Sequence, residues 1–157
     1  MIPPKCLSVP RPTRLRNLLN GGCIGWPKKI QAGADFIQTQ CVFNMEKMRE
    51  WIKRANDMGL TDKVYILAGV TPMKSLGMAR YMKAKVPGMD VPDYIIDRLK
   101  GVDKKNQADE GIKIACEQID EFKEMKGVAG VHLMAIEWEH KVPEIAERAG
   151  VLPRPEV

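Results

Sequence analysis

The sequence predicts an α/β fold, and three observations predict it: an ordinary globular composition, apolar runs alternating with amphipathic stretches, and glycines or prolines at the junctions. Of 157 residues, 45% are hydrophobic and 29% charged, within the range of one folded domain. Alternation of strand and helix signals implies right-handed crossovers and a parallel sheet.

The elements follow in order from residue 29. Ala34 to Gln40 is a short strand signal after the Gly33 breaker. Asn44 is placed to cap a helix whose Met45, Met48, Trp51, Ile52, Ala55 and Met58 recur at spacings of three and four, and Gly59 ends it. Val64 to Val70 is a continuous apolar run, as expected of a strand buried in a parallel sheet. Thr71-Pro72 offers an N-cap and an N1 proline for a helix carrying Leu76, Ala79 and Met82. A proline-punctuated loop from Val86 to Asp93 leads to a short helix over Tyr94 to Leu99. A longer helix is expected from Asn106 to Met125, stopped by Gly127, then a strand from Val128 to Ile136 and a helix from Val142 to Ala149.

The formal charge of +5 is concentrated at one end. Residues 1–31 hold Lys5, Arg11, Arg14, Arg16, Lys28 and Lys29 with no acid, together with five of the eleven prolines. Such a segment has too little apolar surface to build a core, so residues 1–28 read as an irregular basic leader without packed contacts. It lacks the aromatic interleaving of a specific nucleic-acid binder; contact with phosphate backbones through the leader is the least favoured reading. No run approaches the roughly 20 apolar residues of a membrane span, and the N-terminus has no signal-peptide core, which reads as cytoplasmic. Cys6, Cys23, Cys41 and Cys116 show no CxxC or metal-knuckle spacing.

Several ordered motifs carry a resemblance: AGADFIQTQCVFN, ILAGVTPMKSLGMARYMKAKVPGMDVPD, GIKIACEQI and GVAGVHLMAI. Together, from Lys29 to the Leu152-Pro153-Arg154-Pro155 tail, they resemble the C-terminal half of the methylenetetrahydrofolate reductases, flavoenzymes that reduce 5,10-methylenetetrahydrofolate to 5-methyltetrahydrofolate in one-carbon metabolism. The resemblance implies part of a (β/α)8 TIM barrel, roughly its last four βα units, with one strand near residues 86–105 degenerate. It also implies FAD as cofactor, with a folate and NAD(P)H as substrates.

By the same resemblance, Lys29 falls where the family has a lysine on the flavin phosphates, and Gln40 where it has a glutamine that hydrogen-bonds the pterin. Gln38 shares that strand end. Met82 falls at a substrate-stacking phenylalanine, and Glu137-Trp138 at an Asn-Arg pair. An amide supplies the donor and acceptor that a pterin edge requires. Read without the resemblance, Gln40 satisfies loop backbone, Lys29 is a solvated lysine, His132 is a core histidine and the methionines are packing residues.

The family's catalytic acid and flavin-side aspartate belong to strands of the other half, and no carboxylate here stands at a replacing position. The chain alone is therefore expected to be inactive, with a non-catalytic remnant or interaction fragment as the alternative function. Open strand edges would favour self-association. Two explanations of the leader stand open: a genuine short leader, or a frameshift, since a shifted reading frame of suitable codons for residues 6–14 spells FIGAAANP, close to the family's preceding strand, and it rejoins the matching frame at Lys28-Lys29.

Overall fold

The computed structural model describes residues 26–152. In chain order these form α1 (Trp26–Gln31), β1 (Phe36–Cys41), α2 (Met45–Asp57), β2 (Tyr65–Val70), α3 (Leu76–Lys85), α4 (Asp93–Lys100), α5 (Gln107–Glu124), β3 (Gly130–Leu133) and α6 (Val142–Arg148). Short 3-10 turns at Lys104–Asn106 and Glu139–Lys141 precede α5 and α6. The strands form one parallel sheet in the order β1-β2-β3.

Local chemistry sets the helix ends. The Asn44 side chain accepts a hydrogen bond from the Lys47 amide, capping α2 as expected. The same helix ends with Gly59 at φ +63° and the Leu60 amide donating to the Ala55 carbonyl, a left-handed C-terminal closure that glycine adopts freely. At α3 the expected cap is displaced. Thr71 and Pro72 lie in the loop, the helix opens at Leu76, and the Ser75 hydroxyl accepts from the Met78 amide.

One face of the sheet is covered. Ile37, Ile66, Ala68 and Val70 are buried against α2 and α5 residues such as Met48, Ile52, Ala115, Ile119 and Phe122, with Val131 and Leu133 packed beside them. Burying such side chains contributes about 1.5–3 kcal/mol each, which makes this face the main stabilising surface. A second cluster of Phe43, Met73, Ala79, Met82, Val91, Ile95, Leu99 and Ile114 joins α3, α4 and α5. On the opposite face, cross-strand partners Phe36 and Tyr65 are 39% and 69% exposed, and Gln38, paired with Leu67, is exposed too.

Two expectations are corrected. Residues 86–105 contain no strand: they form the loop after α3, α4 and the start of a 3-10 turn, and β2 pairs directly with β3. The described residues thus hold three strands, where four βα units were expected. The expectation that residues 1–28 make no packed contacts is also corrected at their C-terminal end. Trp26 opens α1, is 1% exposed and stacks edge-on against Trp51, with ring centroids 4.4 Å apart. Its indole supplies the apolar area that the rest of the leader lacks. Residues 1–25, with the frame-shift reading, lie outside the described residues.

Candidate functional site at the C-terminal strand ends

The residues expected to act do not all meet. Gln40 is half buried near the end of β1, two residues beyond the exposed Gln38. Neither amide hydrogen-bonds another described residue, so the reading in which Gln40 satisfies loop backbone does not hold among them. Met82 is elsewhere: it is 8% exposed inside the second cluster, while the adjacent Tyr81 is exposed. Lys29 is exposed on α1, before β1 begins. His132 lies in β3 opposite Gly69 and is half buried, which corrects its reading as a core residue.

Loops at the strand ends are fixed by groups whose part was not evident from spacing. Helix α5 supplies two amides: Gln118 Nε2 donates to the Val42 carbonyl at 3.1 Å, and Gln107 Oε1 accepts from the Leu76 amide at 3.0 Å. Both glutamines are buried, on a helix whose apolar periodicity had drawn attention only to Ile112, Ala115, Ile119 and Phe122. The one sign of them was a polar residue falling on an apolar face. The Thr71 hydroxyl lies 2.9 Å from Cys41 Sγ, and burial pushes the Cys41 thiol up from its ordinary value. Cys41 is therefore a packed thiol held as SH at neutral pH.

Across the rim, Lys74 after β2 meets the turn after β3. Its Nζ donates to the Glu137 carbonyl at 3.3 Å and lies 3.9 Å from the Glu137 carboxylate. Glu137 has φ +51°, the one non-glycine residue in the left-handed region among those described, and Trp138 packs back against the core. An asparagine, the residue that the resemblance implies here, tolerates that backbone better than a glutamate. The described residues offer no cluster of three or more metal-ligating side chains, and none of their helices is long and apolar enough to cross a membrane.

A sequence model of the family described as methylenetetrahydrofolate reductase matches residues 21–150. Methylenetetrahydrofolate reductase 1 of Schizosaccharomyces pombe is 25% identical over 126 residues, which is 79% of this chain and 20% of that protein. A probable methylenetetrahydrofolate reductase (NADPH) of Caenorhabditis elegans is 22% identical over 154 residues, covering 86% of this chain and 23% of the relative. Methylenetetrahydrofolate reductase 2 of Saccharomyces cerevisiae is 25% identical over 128 residues, with 80% and 21% covered. The chain therefore spans about a fifth of the length of these relatives. With the family model covering most of the sequence, the chain belongs to the methylenetetrahydrofolate reductase family.

Proposed function

We propose that the chain is a C-terminal portion of a methylenetetrahydrofolate reductase barrel and contributes Gln40, with Gln38 nearby, to folate binding for the reduction of 5,10-methylenetetrahydrofolate. The observation that carries this reading is the pair of glutamine amides near the end of β1, without partners among the described residues, beside a sheet face that no described helix covers. In a (β/α)8 barrel that face would line the interior, and chemistry is placed where the strands end. Parallel sheets are ordinarily covered on both sides, so three strands covered on one face fit a part of a closed barrel.

The described residues do not by themselves fit FAD. Lys29, with Lys28, gives a phosphate an exposed cationic contact worth at most about 1 kcal/mol, whereas micromolar binding requires about 8 kcal/mol. The hollow beside α1, lined by Pro27, Ile30, Gln31, Met58, Leu60 and Lys63, has no aromatic wall for a flavin ring. FAD and NAD(P)H therefore belong to the completed barrel in this reading, and the isolated chain is inactive. Met82, being buried, contributes packing to the substrate side and no stacking surface.

A second reading, an interaction fragment without turnover, is favoured by exposed Phe36 and Tyr65 on the uncovered face. Titration of the full chain with folic acid separates the two. Binding should be weak and fall by about five- to tenfold in Gln40→Ala, the effect of losing about one hydrogen bond. Equal response of the two proteins, or none from either, would reject the reductase reading. Stoichiometric FAD uptake with NADH turnover by the chain alone would reject its partial-barrel form.

A further inference from the structure

We infer that Thr39 is a positioning residue, whose hydroxyl closes a β-bulge that sets Gln40 at the strand end for a ligand edge presenting a donor beside an acceptor. This rests on the assignment of Gln40 to folate binding and extends it to the group that holds Gln40 in place.

The register carries the argument. β1 and β2 pair residue for residue from Phe36↔Tyr65 to Gln38↔Leu67, and then Cys41 stands opposite Gly69. Three steps on β1 are matched by two on β2, so one residue of β1 is extra. A bulge leaves a ladder donor or acceptor without its usual partner, and bulges beside functional sites re-aim a side chain.

Here the hydroxyl of Thr39 fills the gap in both directions. It accepts from the Gly69 amide at 2.9 Å and donates to the Gln40 carbonyl at 2.8 Å. The ladder resumes with the Val42 amide donating to the Gly69 carbonyl at 2.9 Å, and the buried Gln118 amide holds the Val42 carbonyl from the helix side. Gly69 completes the device, since a Cβ there would lie 2.5 Å from the Gln40 carbonyl oxygen. Only a residue without a side chain lets the Gln40 carbonyl come this close to β2. The bulge is thus specified by two side-chain choices on two strands, Thr39 and Gly69, while the Gln40 amide itself is spent on no other described residue.

A β-branched residue is favoured in a strand whatever its role, so hydroxyl and shape must be separated. Thr39→Val keeps the branch and removes the hydroxyl, and Thr39→Ser does the reverse. The probe is folic acid, titrated into the full chain and read by NMR at the Gln40 side-chain amide, identified by its loss in Gln40→Ala. Thr39→Val should lower affinity about five- to tenfold, as loss of one hydrogen bond would, and Thr39→Ser should stay within about twofold of the parent. If the parent responds and Thr39→Val responds equally, or Thr39→Ser falls with Thr39→Val, the inference is overturned while the Gln40 assignment survives. If the parent shows no response, the Gln40 assignment fails and takes the inference with it. A measurement on the unaltered chain keeps the test open should Thr39→Val fail to fold. The Thr39 hydroxyl proton should be slow to exchange and give a cross-peak to the Gly69 amide; rapid exchange without that cross-peak would overturn the inference.

Discussion

A methyl group on Gly111 would stand 1.8 Å from the Met73 carbonyl oxygen, closer than any real contact. Helix α5 therefore lies directly against the loop that follows β2, and the absence of a side chain is what permits it. Glycine weakens a helix interior by about 1 kcal/mol relative to alanine, so an ordinary helix would gain from Gly111→Ala. Here the sign reverses. The clash is with backbone, which yields less readily than a flexible side chain, and overpacking of this kind costs about 1–3 kcal/mol. A urea midpoint in Gly111→Ala equal to or above that of the parent would show that α5 and the loop do not meet as described. Gln107 and Gln118 flank Gly111 on the same helix and bond the chain at Leu76 and Val42. These contacts make α5 the part that aligns the exits of β1 and β2, and so the position of Gln40.

At the scale of elements, what could be read from the sequence depended on whether the signal was local. The α2 helix was legible at both ends because an asparagine cap and a C-terminal glycine act on their own turn. The start of α3 was not. Thr71-Pro72 has the form of a cap, but Thr71 instead closes on Cys41 from the neighbouring strand, and the helix waits for Ser75. The bulge at Thr39 depends on pairing with a residue thirty positions away and left no periodic trace. The direct β2-β3 pairing was hidden differently: the loop and the helix over Tyr94 to Leu99 were legible, and α4 buries Ile95 and Leu99, but the resemblance implied a degenerate strand in the same residues. The fold class and Gln40's place in β1 were legible; the polar contacts that hold it were not.

The loop before α4 also ties back to the cap of α2. Asn44 Nδ2 donates to Asp90 Oδ2 at 2.9 Å, and Lys47 Nζ lies 2.5 Å from the same oxygen. The hydrogen bond from Lys47, outweighing partial desolvation, holds the Asp90 carboxyl below its usual value of 3.8, with Asn44 adding to it. A folded-state pKa below the unfolded one contributes stability that is present above the unfolded value and lost as pH falls through the folded value. Acid destabilisation of the parent should thus include a component that sets in below about pH 4. Lys47→Met should flatten that component and leave stability at higher pH less dependent on this loop; identical acid limbs in thermal melts of the two proteins would refute the linkage.

At the scale of the whole molecule, the decisive feature is a parallel sheet with one face covered and one that no described element covers. Residues Phe36 and Tyr65, cross-strand partners at the start of β1 and β2, are exposed, and among the described residues β1 and β3 are both edge strands. Edges of this kind offer unpaired backbone donors and acceptors to another chain, and exposed aromatic side chains beside them add apolar area. We expect the isolated chain to self-associate through this face in a concentration-dependent way. Covalent aggregation through the thiols is the competing route, and a reductant controls for it. The Phe36→Lys, Tyr65→Lys double variant should shift sedimentation towards the 17.7 kDa monomer, because charge on an edge or face opposes pairing. Its thermal midpoint should stay close to that of the parent, since neither side chain is part of the covered core. If the variant sediments like the parent under reducing conditions, association runs through some other surface and the uncovered face has no demand for a cover. If it becomes monomeric and keeps its melt, the face is a surface that the fold leaves for another segment to bury, as a barrel interior would require.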